Sequence, residues 1–180
     1  MENWRIINLK DDEITEKAII DCANLYCQIW QEPPWNEFFW KPEKVAATIY
    51  EVLQRTGSAA LLAVSADNRE ILGFTWGFPV DREALRRISG GKSLDSLMPE
   101  KKKLFYIAEL GVAKKNRKTK IGSELTKELL QVARRKFPAT ILRTDLDAKP
   151  ARSLYRRLGF REMPIRDSDF SNRTYWIKRS

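Results

Sequence analysis

Histidine is absent from the 180 residues. That excludes the Ser-His-Asp and Cys-His nucleophile systems, His-containing zinc sites and a histidine general base. Cysteine is nearly absent. Cys22 and Cys27 are the only two, so a four-cysteine metal site is excluded and no metal is expected. They stand five apart in a stretch that reads as helix, about 7.5 Å of axial rise. This is a poor disulfide geometry, and the reading is two free core thiols in a reducing cytosol. Long apolar runs are absent too: none reaches 18 residues. The acidic start lacks a basic segment followed by an apolar one. Neither a membrane span nor a signal peptide is expected, and the expected location is cytoplasmic.

What is present describes one globular domain spanning 1–180. Hydrophobic residues are 43% and charged residues 32%, enough apolar content to close a core. The net charge of +9 hides a split. Residues 1–100 carry 11 Lys/Arg and 16 Asp/Glu, whereas residues 101–180 carry 22 and 8. Two halves with different partners are implied.

The pattern predicts a strand over Trp4–Leu9. A helix follows over Ile14–Trp30, capped by Thr15, with Ala18, Cys22, Leu25, Tyr26, Ile29 and Trp30 on one stripe. The prolines of Glu32-Pro-Pro-Trp35-Asn-Glu37 exclude regular helix there. A second helix runs from Pro42 to about Arg55, with Val45, Ile49, Val52 and Leu53 inward and Gly57 behind it. Ala59–Ala66 and Glu70–Pro79 form a hairpin turning at Asp67-Asn68. A short helix lies within 81–98. Its Gly-Gly-Lys-Ser is not a phosphate loop, because the distal glycine and a following helix are missing. Leu104–Val112 is a strand, Ala113–Lys120 a basic loop, and Ile121 to about Lys136 a helix with Ile121, Leu125, Leu129 and Val132 inward. A strand over 139–146, a short helix over 150–158 and strands over Phe160–Ile165 and Arg173–Lys178 close the chain. The order βααβββαβαββ is α/β (α+β), with one parallel contact in its βαβ unit.

Five of the eight residues from Ala113 to Lys120 are Lys or Arg. They precede a helix whose first-turn N–H groups have no intrahelical partner. Charge, helix dipole and open N–H groups together suit phosphate oxygens, and Gly122 lets a backbone approach closely. The second element is a short helix carrying Tyr155 on its apolar face and stopped by Gly159.

Residues 104–160 resemble the GNAT acetyltransferase superfamily. Its pyrophosphate signature, Arg/Gln-x-x-Gly-x-Gly/Ala after a Leu-x-Val strand end, stands here as Leu110-Gly111-Val112 and then Arg117-Lys118-Thr119-Lys120-Ile121-Gly122. The signature's first glycine is Lys120 here, and a second, commonly seen glycine is Lys118. The motif Leu-Tyr-x-x-x-Gly-Phe is complete as Leu154-Tyr155-Arg-Arg-Leu-Gly159-Phe160. An asparagine often found before that helix is Ala148. The resemblance implies a mixed, mostly antiparallel central sheet with one splayed parallel pair and helices on both faces.

It further implies acetyl-CoA as cosubstrate, with residues 1–100 as the acceptor-side half and 101–180 as the CoA-binding half. Leu110 and Val112 would offer backbone groups to the pantetheine arm, as to an added strand. The backbone from Arg117 through Ser123 would hold the pyrophosphate. Tyr155 would protonate the leaving thiolate, since a phenol of pKa about 10 matches a thiolate of similar basicity. A backbone N–H near Gly111 would polarise the thioester carbonyl.

The acceptor must attack as a neutral amine. Without histidine the base is a carboxylate, a tyrosine or a relayed water. Glu109 is the first candidate, and Glu32 and Glu37 are the second. Trp30, Trp35, Phe38, Phe39 and Trp40 crowd one stretch and Trp76 ends a nearby strand, a set that suits an amine-bearing small molecule or peptide. A catalytically silent acyl-CoA-binding protein of the same fold is one alternative, with a basic nucleic-acid-binding module another. Nucleic acid is disfavoured, because the densest cationic cluster sits at one strand-to-helix junction and no groove-reading motif is visible. A monomer or a homodimer is expected. The charge at Lys101–Lys103 and Arg134–Lys136 exceeds what CoA needs.

Overall fold

The computed structural model describes residues 3–10, 16–67, 70–98 and 102–180. Their elements are β1 (Trp4–Asn8), α1 (Glu16–Trp30), α2 (Pro42–Gln54), β2 (Ala59–Ser65), β3 (Ile71–Val80), α3 (Arg82–Ser89), β4 (Leu104–Val112), α4 (Ile121–Arg134), β5 (Ala139–Asp145), α5 (Lys149–Arg157), β6 (Arg161–Arg166) and β7 (Arg173–Arg179). The expected cap Thr15 and turn residue Asn68 lie outside the described residues. The strands form one sheet in the order β1-β2-β3-β4-β5-β7-β6. The β1–β2, β2–β3, β5–β7 and β6–β7 pairs are antiparallel. β4 and β5 are parallel, paired at Phe105–Ile107 opposite Thr140–Leu142. The mixed, mostly antiparallel class with one parallel pair is the one the sequence implied.

The chain divides into two compact units, Met1–Gly77 with Glu109–Leu129, and Phe78–Ala108 with Leu130–Ser180. In the first, α1 buries Ile19, Cys22, Ala23, Leu25, Tyr26, Cys27 and Ile29. Ala18 and Trp30, expected on this stripe, are half-buried at its margins. α2 starts on Pro42 and buries Val45, Ile49 and Val52, leaving Leu53 half-buried. β2 is buried along nearly its whole length, which explains its continuous apolar run.

Gly111 has a packing reason to lack a side chain. A Cβ there would stand 2.5 Å from the Phe74 ring and 2.9 Å from Ile29. Both are well inside van der Waals contact, and Phe74 is fully buried. Gly111→Ala is therefore expected to lower unfolding free energy by about 1–3 kcal/mol, the usual cost of overpacking. A lower denaturant midpoint at unchanged slope is the signature.

In the second unit, Val80, Leu85, Leu94, Met98, Leu104, Tyr106, Ala139, Ile141 and Tyr175 form one buried cluster. The short helix expected in 81–98 is α3. Asp81 caps it by accepting the Ala84 N–H at 2.8 Å, and Gly90 closes it at φ +67°. α4, which runs from the first unit into this one, buries Ile121, Leu125, Leu129 and Ala133. The stripe thus continues by fours, and Val132, expected inward, is only half-buried.

A charge also lies inside this unit. Asp167 is buried, and one of its carboxylate oxygens accepts Arg143 at 2.7 Å and the Tyr175 hydroxyl. The other oxygen accepts the N–H groups of Asp169 and Phe170 at 3.0 and 2.9 Å. Arg143 faces Tyr175 across the β5–β7 pair and also donates to the Ile88 carbonyl at 3.2 Å.

Candidate active site

The chain leaves β4 just beyond Val112. Ala113 donates its N–H to the Leu72 carbonyl at 2.9 Å, and Lys114–Asn116 then make a single 3₁₀ turn. Lys118 and Lys120 follow with φ of +67° and +68°. A left-handed backbone costs an ordinary L-residue about 1–2 kcal/mol. These are the two positions where the resembled signature carries glycine. The lysines keep the backbone that glycine would adopt and add charge to it.

The result is a run of open donors. Among the described residues, the backbone N–H groups from Lys118 through Ser123 donate no hydrogen bond. The last three of them open α4, where dipole and orphan donors coincide. Lys114, Lys118 and Lys120 make no ion pair among the described residues, whereas Lys115 pairs with Glu70 at 2.5 Å. The loop therefore fits the pyrophosphate expected of it: its donors are open, and Lys114, Lys118 and Lys120 make no ion pair among the described residues.

Arg117 behaves differently. Its Nη1 holds Glu32 at 2.7 Å and its Nε donates to the Val112 carbonyl at 3.1 Å. The sequence reading placed Arg117 on the cofactor side and Glu32 on the acceptor side, and the structure joins them.

Behind the loop stands a column of rings. Trp35 stacks on Trp30 at 6.1 Å, Trp30 on Tyr26 at 4.3 Å, and Tyr26 on Trp76 at 5.9 Å. Phe74 packs beside Tyr26, Trp30 and Trp76. Trp40 stands edge-on to Tyr26 at 5.3 Å and donates its indole N–H to Glu37 at 2.6 Å. Trp76 is 2% exposed and Tyr26 3%, so the inner rings are core, while Trp30, Trp35 and Trp40 remain half-exposed.

Tyr26 is the residue that the sequence reading left as a stripe position. Its hydroxyl donates to Glu109 at 3.4 Å. Burial, then the negative charges of Glu109 and Glu37, push its pKa far above the usual phenol range, so it remains a donor. Glu109 is half-buried, and its carbonyl accepts Thr75 Oγ1 at 2.8 Å, which fixes the strand end carrying the carboxylate. The Tyr26-x-x-x-Trp30 spacing, four apart on one helix face, signals the ring stack and not the carboxylate partner.

Tyr155 lies in the second unit, on α5. It is 6% exposed and packs edge-on against Phe160 at 5.7 Å. Gly159, at φ +83°, ends the helix. Phe160 then donates its N–H back to the Tyr155 carbonyl at 3.0 Å, so the motif's glycine and phenylalanine fix the tyrosine between them. Ala148 stands at the helix start without a side-chain cap.

Among the described residues, no group of three or more His, Cys, Asp or Glu could hold a metal ion, and no helix is long and apolar enough to cross a membrane. No curated protein matches the chain. Among solved structures it is similar to an acetyltransferase from Streptococcus agalactiae 2603, at 14% identity and TM-score 0.73 with 100% of each chain covered. It is also similar to the NatC complex bound to Gag peptide and CoA, at 15% identity and TM-score 0.68, covering 98% of this chain and 99% of that one. A third likeness is to Arabidopsis thaliana NAA60 in complex with a bisubstrate analogue, at 17% identity and TM-score 0.65, covering 97% and 98%. These likenesses show the fold. The sequence model of the acetyltransferase (GNAT) family matches residues 20–160, and the chain belongs to that family.

Proposed function

We propose that the protein is an N-acetyltransferase that moves the acetyl group of acetyl-CoA to a primary amine of a small molecule or peptide. The observation that carries this reading is the run of open N–H groups from Lys118 through Ser123, held by two lysines in glycine's backbone conformation. Such a run binds phosphate oxygens by geometry and charge. Acetyl-CoA supplies the activated thioester. The structural neighbours bound to CoA with a peptide and to a bisubstrate analogue support a peptide amine as one acceptor class.

In this reading Glu109 receives the amine proton, Tyr26 donates to that carboxylate and holds it in place, and Tyr155 gives its phenol proton to the departing sulfur. The Gly111 N–H polarises the carbonyl, while Leu110 and Val112 offer strand-edge groups to the pantetheine arm. Glu32, Trp35 and Glu37 line the acceptor side, where carboxylates and a half-exposed ring attract a cation before it is deprotonated; Trp76, expected there too, is buried in the core behind them.

The test is calorimetric titration with acetyl-CoA, then thiol release over a panel of amines and short peptides. Binding followed by release supports the enzyme. Binding without release over the whole panel supports a silent acyl-CoA binder, and no binding overturns the reading.

The lysines give a sharper expectation. Replacing both Lys118 and Lys120 by glycine relieves about 1–2 kcal/mol of left-handed strain at each site, offset by about 0.5–1 kcal/mol of added chain entropy. The double variant should be about 1.5 kcal/mol more stable in denaturant unfolding. It should also bind acetyl-CoA more weakly, and the affinity gap should narrow as salt rises.

A further inference from the structure

We propose that one end of the second unit is a surface for the phosphate backbone of a nucleic acid, read without regard to sequence. Three basic segments meet there around Phe137 and Pro138. Lys102 and Lys103 lead into β4, whose Phe105 ring lies 5.5 Å from that of Phe137. Arg134 ends α4 and is followed by Arg135 and Lys136. Arg179 ends β7 opposite Ala139. The next residue, Ser180, donates its N–H to the Pro138 carbonyl at 3.0 Å and its hydroxyl to the Phe137 carbonyl at 2.7 Å. Arg161 opens β6, the neighbouring strand, opposite Ile177.

All seven of these side chains are exposed, and none makes an ion pair among the described residues. Among the described residues, four acids of the unit are engaged elsewhere. Glu162 holds Arg152, Glu83 holds Arg87, Asp95 holds Arg86, and Asp81 caps α3. A cation at a helix C-terminus complements the dipole, and Arg134 does so for α4. That does not account for Lys102, Lys103, Arg161 and Arg179, which sit at strand ends. Uncompensated like charges repel one another and lower stability, so a surface that gathers seven of them calls for a polyanion.

Geometry and composition favour a nucleic acid over other polyanions. The ends of β4, β5, β7 and β6 lie side by side in the sheet. At about 4.8 Å per strand the row is about 15 Å wide. That is about four phosphates of one strand at about 3.4 Å each. Four of the seven cations are arginines, whose planar forks match phosphate oxygens. A bilayer surface would need an apolar face beside the charge. Among the described residues, the exposed large apolar side chains are Ile20, Phe38, Phe39 and Tyr50, in the first unit, and Phe170, which follows the opposite end of β6. The ring at this end, Phe137, is half-buried and packs on Phe105, so contact is to the backbone.

The experiment is fluorescence anisotropy of the full chain with a labelled mixed-sequence single-stranded RNA of about 20 nucleotides, with saturating acetyl-CoA present. Binding is expected at about 50 mM salt, and about four contacts give a logarithmic salt slope near −2.8, about a 50-fold loss by 200 mM. R134Q/R135Q/K136Q and, separately, K102Q/K103Q should each weaken binding about 10-fold or more and flatten the slope. Their melting temperatures should stay level or rise as repulsion is relieved, and their acetyl-CoA affinity should stay unchanged. The proposal is overturned by any of four results: no RNA binding at low salt; displacement of RNA by acetyl-CoA; undiminished binding by both variants; or tighter binding to phosphatidylserine vesicles or poly-glutamate than to RNA.

Discussion

Tyr155→Phe lowers turnover about 100- to 1,000-fold in the expected result, within the range for removal of a general acid. The acetyl-CoA Kd should stay within about twofold, because the proton matters only as the sulfur departs. The residue can be changed so cleanly because of how it is held. Its ring packs against Phe160 and Trp176, and phenylalanine keeps that packing. A melting temperature measured beside turnover separates chemistry from folding. A coincident loss of acetyl-CoA affinity, or turnover unchanged from wild type, removes Tyr155 from the acid role. A thiol-release assay paired with calorimetry separates these outcomes.

Asp167→Asn should lower the unfolding free energy by about 3 kcal/mol, at the low end for breaking a buried ion pair, because Arg143 keeps some solvent contact. The substitution nearly preserves volume. It reverses polarity where an amide nitrogen would face Arg143 and the Tyr175 hydroxyl, so donors would meet donors. The wild-type protein should also show an acid limb that the variant lacks. Burial alone would raise the Asp167 pKa, but the hydrogen bonds from Tyr175 and Arg143 outweigh it and hold the carboxyl below its usual range. The folded pKa is thus below the unfolded value of about 3.9. Between the two the unfolded chain binds more protons, so stability rises with pH there. The contribution is complete above about pH 4–5 and is lost as pH falls through the folded pKa. Denaturant titrations near neutrality and at about pH 3 should show the gap between wild type and variant closing in acid.

Strand and helix positions were legible because this chain keeps its periods clean. β4 matches its expected span at both ends, and α2 ends within one residue of expectation. The order of partners across the sheet was not legible, since period reports a face and not a neighbour. For the candidate site, the basic loop and Tyr155 could be proposed from sequence because they stand at fixed places in short motifs. Tyr26 could not, since a tyrosine on a helix stripe has the same spacing whether it fills a core or meets a carboxylate 83 positions away. The sequence likewise reported only that glycine was missing at positions 118 and 120. That lysine takes up the left-handed backbone is a fact of φ. Arg143 had a readable sign, as a charge inside the strand Ile141-Leu142-Arg143-Thr144. Its partner Asp167 arrives from a separate turn that no local pattern ties to it.

The ion pair of Arg117 with Glu32 makes an incoming phosphate and a resident carboxylate competitors for one guanidinium. A phosphate that wins leaves Glu32 unneutralised within the aromatic stretch, where it then attracts a cation. Linkage makes the effect reciprocal: a cation settled on Glu32 releases Arg117 and strengthens the phosphate's hold by the same factor. Two ligands of opposite charge would thereby favour each other's arrival without any movement of the backbone.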